Sequence, residues 1–223
     1  MTDPVAPGVL EAAADIVALY DRRSSDWIAD RGRVLTGADR TWLDRFTARL
    51  SPGDAVLDVG CGSGRPMAAA LLERGFRVAG VDSSARLVAH AASDLPAGRF
   101  VQADMRTLDL GETFAGVLAW HSLFHLSPGD QRIALSRLLA HAAPRATIMF
   151  SSGPREGDAM GVWRGEPLYH GSLGPEEYEA GLTAQGFEVE SGVWAMDGSV
   201  WLAHRDGGSL RPAPSFRPNG PSR

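Results

Sequence analysis

Residues 56–66 (VLDVGCGSGRP) concentrate the chemistry of this chain: an apolar run ends in Asp58, and glycine follows at positions 60, 62 and 64. Glycine at every second position lets a backbone turn sharply and approach a ligand within contact distance. The helical stretch beyond it, Met67 to Arg74, starts with unpaired N–H groups and a positive dipole end that favour an anionic group. Spacing separates the ligands such a loop can serve. A dinucleotide fingerprint reads G-x-G-x-x-G, and after Gly60 and Gly62 its third glycine would fall at 65, where the chain has Arg65. Downstream, Phe76 to Val81 is a short apolar run ending in Asp82. A carboxylate at the tip of a second strand is where nucleoside-binding α/β folds hold ribose hydroxyls, and its two oxygens can accept from both.

The D-x-G-x-G-x-G pattern of Asp58, Gly60, Gly62 and Gly64 resembles the first motif of class I S-adenosylmethionine-dependent methyltransferases. Further motifs follow in that family's order: Asp82-Ser83, then Ala103-Asp104-Met105, then Phe114 to Trp120 leading into His121-Ser122-Leu123-Phe124-His125-Leu126. The resemblance is strong over residues 50–155 and looser elsewhere. It implies S-adenosylmethionine as cofactor and S-adenosylhomocysteine as product. It assigns cofactor contacts to Asp58, Gly60, Cys61, Gly62, Gly64, Asp82 and Ser83, and to Trp120 and His121 after the fourth strand. Asp104 and Met105 resemble the adenine site, with the carboxylate near the exocyclic amine and the thioether against the ring. Near the N-terminus, Tyr20, Trp27 and Arg31 resemble a segment that closes over the cofactor in small-molecule members. The forked guanidinium of Arg31 suits the methionine carboxylate.

Methyl transfer from a sulfonium needs chiefly alignment, which can supply on the order of 7–11 kcal/mol of barrier reduction at best. A general base is required when the acceptor has a proton to lose, and histidine suits that task near neutral pH. His121 directly follows the fourth strand, at the carboxyl edge where a doubly wound sheet binds ligands. Family members tend to read Trp-Asp-Ser at this corner, so His121 is a departure that marks it as a candidate base or acceptor anchor. His125, four residues on, is expected to pack beneath the next helix, and no metal site is expected. Tyr169 and His170 lie in a long glycine-rich stretch, residues 152–174, and are further candidates for acceptor contacts and catalysis.

Composition narrows the partners. The 223 residues carry a net charge of −5, which disfavours nucleic acid as the main partner. The chain has no lysine; all 22 of its cationic Lys/Arg residues are arginine. The lone cysteine, Cys61, excludes an internal disulfide and points to a reducing compartment, hence a cytoplasmic location. No apolar stretch reaches the roughly 20 residues that span a bilayer. Met1 to Gly8 has no basic segment of the kind that opens a secretion signal.

The elements that must position these residues alternate from residue 55 onward. Strands are expected near 55–59, 76–81, 99–102, 114–120 and 146–151, with helices near 65–74, 84–92 and 128–142. Residues 9–31 and 41–50 have helical spacing and form an N-terminal cap over residues 1–50. Pro175 to Gln185 reads as another helix, and Phe187 to Val193 with Ser199 to His204 as a terminal hairpin around Asp197-Gly198. The fold class is therefore α/β, a Rossmann-like, doubly wound, mostly parallel sheet with a C-terminal antiparallel hairpin. Residues 1–205 form one domain, and 206–223 are a Gly/Pro/Ser/Arg tail expected to be disordered. The function expected is methyl transfer to a small molecule by a monomer or homodimer. Two rival readings remain: a catalytically silent S-adenosylmethionine-binding protein, and a nicotinamide-dependent oxidoreductase.

Overall fold

The computed structural model describes residues 7–190 and 200–207. Two helices, α1 (Pro7–Arg22) and α2 (Ser24–Arg31), and a third, α3 (Gly37–Thr47), precede the sheet. The alternating part runs β1 (Ala55–Val59), α4 (Met67–Glu73), β2 (Arg77–Asp82), α5 (Ala85–Asp94), β3 (Arg99–Gln102), β4 (Phe114–Ala119), a 3-10 turn (Leu123–His125), α6 (Pro128–Ala140) and β5 (Ala142–Ser151). The C-terminal part adds β6 (Gly157–Trp163), β7 (Glu166–Ser172), α7 (Pro175–Ala184), β8 (Glu188–Val189) and β9 (Val200–Arg205).

Seven strands make one sheet in the order β3-β2-β1-β4-β5-β9-β8. Pairing is parallel from β3 through β5 and antiparallel at β5–β9 and β9–β8. The central strands bury both faces, which explains why they read as unbroken apolar runs rather than alternating ones. One buried cluster lies against α6 and α7, with Leu57, Val117, Ile148 and Tyr178. The other lies against α3 and α4, with Phe46, Val56, Leu71 and Met149. The chain steps outward from β1 to β2 and β3, then returns to the other side of β1 as β4. At this reversal the loops after β1 and β4 diverge and leave a crevice at the strands' carboxyl ends.

Local chemistry sets the helix starts. Thr36 caps α3 through a reciprocal capping box with Asp39, so the helix begins at residue 37, before the expected 41. Ser84 and Ser127 cap α5 and α6 by accepting from the amides of Leu87 and Asp130, and Pro128 occupies the first turn of α6. The single expected segment over 9–31 is broken at Arg23 (φ −103°, ψ 20°), just before the Ser24-Ser25 pair, whose hydroxyls favour helix starts over helix interiors.

Residues 152–174 differ from the irregular loop their glycine content suggests. Most of them form the antiparallel pair β6–β7, closed by Arg164-Gly165 with both residues at positive φ (51° and 83°). That is the geometry of a tight two-residue hairpin turn, normally signalled by Asn-Gly or Asp-Gly. The hairpin tip is tied to the helical cap. Glu166 accepts from Arg22 and from Arg23 Nε at 2.6 Å, and Asp30 accepts from Trp163 Nε1 and Arg164 Nε, both at 3.0 Å. The expected C-terminal hairpin is represented by β8 and β9. Its Asp197-Gly198 turn and the tail from residue 208 lie outside the described residues. No helix among the described residues is long and apolar enough to cross a membrane.

Candidate active site

The crevice at the β1/β4 reversal is a deep cleft, floored by the glycine loop and roofed by α1 and α2. Three backbone positions shape its floor. Gly60 (φ 72°) presses so closely on Ser122 that a Cβ would sit 2.3 Å from the Ser122 Cβ. Ser122 Oγ donates to Val59 O at 2.7 Å, which binds the end of β4 to the end of β1. Gly62 (φ 55°) faces Trp27 of the roof, and a Cβ there would lie 2.9 Å from the indole nitrogen. The absence of a side chain at 62 is what lets the roof come down over the loop.

Two carboxylates sit under this loop. Asp82 borders the cleft at the tip of β2, one oxygen accepting from Gly62 N and the other from Ser84 N, both at 2.9 Å. Burial raises its pKa, and the two amide hydrogen bonds oppose that rise. Asp58 is 2% exposed, and among the described residues nothing hydrogen-bonds its carboxylate. Burial pushes it up to about 7; the negative charge of Asp82 adds to the rise, and the Arg31 guanidinium partly offsets it. A site holding two buried acids with so little cationic compensation is electrostatically prepared for a cation.

On the far wall, Asp104 and Met105 border the cleft, and Asp104 is held by Arg106, whose Nε lies 3.0 Å from both carboxylate oxygens. Arg106 also reaches Asp130 at 3.2 Å. At the end of β4, His121 borders the cleft in a left-handed backbone conformation (φ 54°), which is uncommon for any residue but glycine. Its amide donates to Ser151 Oγ at 2.8 Å, and its ring lies 4.6 Å from that of Trp120.

Comparison with known proteins bears on this geometry. Residues 56–145, the span from β1 to β5, match the methyltransferase domain family. This span, 90 of the 223 residues, is similar to a methyltransferase domain. An O-methyltransferase from Pyrenophora dematioidea is 28% identical over 153 residues, 63% of this chain and 57% of that protein. Thus the chain matches little more than half the length of that relative. Among solved structures, the 1,6-didemethyltoxoflavin-N1-methyltransferase of Burkholderia thailandensis superposes with TM-score 0.65 at 24% identity, covering 92% of this chain and 93% of that one. An amino pentose methyltransferase from Micromonospora echinaspora gives 0.60 at 21%, covering 92% and 100%. The magnesium protoporphyrin IX methyltransferase of Synechocystis gives 0.62 at 17%, covering 92% and 100%. These likenesses establish the fold. They favour neither the nicotinamide reading nor the silent-binder reading.

The cleft brings together Tyr20, Trp27, Gly60, Gly62, Asp82, Ser83, Asp104, Met105 and His121. Other residues expected there stand elsewhere. Trp120, just beyond the end of β4, is absent from the cleft lining and packs its indole in the core under α3, donating to Asp39 Oδ1 at 2.9 Å. Cys61 is buried; its sulfur is directed at Gly80, where a Cβ would come within 2.9 Å. Gly64 makes its close approach to Leu95 of the core rather than to the cleft. Tyr169 is buried in β7 with its hydroxyl on Asp158, and His170 lies behind the cleft, its ring 5.1 Å from His125 and 5.3 Å from Phe124. The hairpin directs both away from the cleft. Arg31 is not among the residues that line the cleft; its guanidinium lies over the Trp27 ring, 5.6 Å from the ring centre.

Residues that the sequence did not assign to the cleft complete the lining: Arg106, Ser122, the α1 positions Ala13, Ile16 and Val17, and His125, which was expected to pack beneath the next helix. The helical periodicity of α1 marks a buried face but not which cavity that face covers.

The glycine loop yields a direct test. A valine at position 62 must take left-handed backbone and displace Trp27. Overpacking of this kind costs about 1–3 kcal/mol of stability, and by shifting the loop Gly62→Val is also expected to weaken S-adenosylhomocysteine binding about 10- to 100-fold in calorimetry. Unchanged affinity would mean that the loop does not touch the ligand.

Proposed function

We propose that this chain is an S-adenosylmethionine-dependent methyltransferase acting on a small-molecule acceptor. The observation that carries the reading is Asp82, fixed by the amides of Gly62 and Ser84 at the tip of β2 with lone pairs left toward the cleft. That arrangement suits two ribose hydroxyls. The buried pair Asp58 and Asp82 suits a ligand with positive charge, and a bound S-adenosylmethionine would supply both an ammonium and an electrophilic methyl on a sulfonium. Asp82 and Ser83 would hold the ribose, and Met105 and Asp104 the adenine end. Asp58 would serve the ammonium through the loop, Arg31 the carboxylate, and Tyr20 and Trp27 would exclude water from above.

His121 stands where the chain leaves β4 and is assigned the acceptor side, as general base or anchor. The acceptor is proposed to be small because the roof closes the cleft, and because the related proteins are named for an amino pentose, a toxoflavin precursor and a porphyrin. The net charge of −5 supports this over nucleic acid, and the one buried thiol fits a cytoplasmic setting.

Two measurements test the reading. Asp82→Ala is expected to weaken S-adenosylhomocysteine binding by about 2–4 kcal/mol, since charge-assisted hydrogen bonds contribute roughly 1.5–3 each and do not add fully. A folded variant with unchanged affinity would remove the ribose assignment. Incubation with cofactor labelled on the methyl group and a cell extract should yield a labelled small metabolite by mass spectrometry; label confined to protein or nucleic acid would refute the acceptor class.

A further inference from the structure

The hydrogen-bond partners of His125 fix the orientation of a hydroxyl in the cleft. Nδ1 of His125 lies 3.1 Å from the carbonyl oxygen of Tyr169. A carbonyl can only accept, so Nδ1 carries the proton. Burial holds this imidazole neutral, its pKa lowered to about 3, so Nε2 is a bare lone pair at any physiological pH. The Tyr20 hydroxyl lies 2.8 Å from that Nε2 and must donate to it. Its one hydrogen is thereby committed, and the Tyr20 oxygen presents lone pairs alone to the cleft that both residues border.

The surroundings of Tyr20 share this polarity. Its ring meets that of Trp27 edge-on at 5.2 Å, and the ring of Trp163 lies 5.8 Å away. Aromatic faces and oxygen lone pairs attract positive charge. A cation rich in N–H donors is better served by the carboxylates at the strand tips. A cation with no N–H, its charge spread over sulfur and the attached C–H groups, suits an aromatic corner with a single fixed oxygen.

We infer that Tyr20, held in orientation by His125, is the residue by which the cleft distinguishes the positively charged sulfonium cofactor from its neutral thioether product. The inference rests on the cofactor reading above. His125 is a positioning residue here: it acts through the direction of the Tyr20 O–H and needs no contact with the ligand. The consequence is functional, because a site that favours the charged form releases the product more readily.

Calorimetry of the full chain with S-adenosylmethionine and with S-adenosylhomocysteine, no acceptor present, tests this. The wild type is expected to bind the sulfonium form more tightly. Tyr20→Phe should reduce the ratio of the two affinities about three- to tenfold, mainly through weaker sulfonium binding, and lower the melting temperature by a few degrees because Nε2 of His125 loses its donor. His125→Leu releases the hydroxyl hydrogen toward the cleft and should reduce the ratio as well. His125→Gln, whose amide can donate to Tyr169 and accept from Tyr20, should restore it. Parallel losses for both ligands in Tyr20→Phe, or an unchanged ratio, would overturn the inference. A wild type that binds neither ligand would refute the cofactor reading, and this inference with it.

Discussion

Replacing His121 with asparagine is expected to lower turnover about 10²–10⁴-fold, the range for loss of a general base, while S-adenosylhomocysteine affinity stays within a few-fold. Three imidazoles cluster near the end of β4, and their surroundings assign the role. His125 is clamped between the Tyr169 carbonyl and the Tyr20 hydroxyl, and burial pushes it down to about 3, too low to take a proton near neutrality. His170 lies outside the cleft, and burial lowers it as well. His121 borders the cleft on a left-handed backbone fixed from behind by Ser151. A non-glycine residue in that region costs on the order of 1–2 kcal/mol, and such strain tends to be kept where it aims a side chain at chemistry. Asparagine tolerates the left-handed region, so the substitution removes the base while sparing the backbone. Near-normal turnover in His121→Asn, measured with the acceptor that the labelling experiment yields, would reduce the mechanism to alignment alone.

The second large effect concerns Asp58 and appears as stability. Burial, and then the neighbouring charge of Asp82, raise its pKa from 3.8 to about 7 in the folded chain. A carboxyl with a raised folded pKa holds its proton more tightly in the native state than in the unfolded one. Stability from this group is therefore present in full below about pH 4 and is lost as pH rises through 7. At roughly 1.4 kcal/mol per pKa unit the loss approaches about 4 kcal/mol above neutrality. Asp58→Asn removes the ionisation and is expected to raise the melting temperature at pH 8 by roughly 5–15 °C. The gain should shrink to near zero at pH 4. The same variant should bind S-adenosylhomocysteine more weakly at pH 8, since the charge that destabilises the free chain is the one that attracts the ligand's ammonium. An equal change in melting temperature at both pH values would show that Asp58 ionises no differently in the folded chain than in the unfolded one.

What the sequence alone determined is the part governed by local backbone rules. Gly60 and Gly62 stand at positive φ with no room for a Cβ, so their spacing declared the loop before any tertiary contact was known. The apolar runs ending in Asp58, Asp82 and Trp120 gave the parallel core, because strands buried on both faces have no polar alternation to hide them. Serine and threonine caps placed helix starts for the same local reason.

The tertiary structure decided where side chains point and which distant ones meet. Trp120 and His121 are neighbours in sequence, yet one enters the core and the other the cleft. The β6–β7 hairpin stayed hidden because Arg164-Gly165 lacks the usual Asn or Asp, and because Pro167 lies within a strand. That hairpin removes Tyr169 from the cleft and converts its carbonyl into the anchor of His125. The Tyr20–His125 contact joins residues 105 positions apart, and the Arg22–Glu166 contact residues 144 apart. Periodicity is a property of nearest neighbours along the chain, whereas these pairs exist because the roof packs across the reversal between β1 and β4, a geometry set by the topology of the whole sheet.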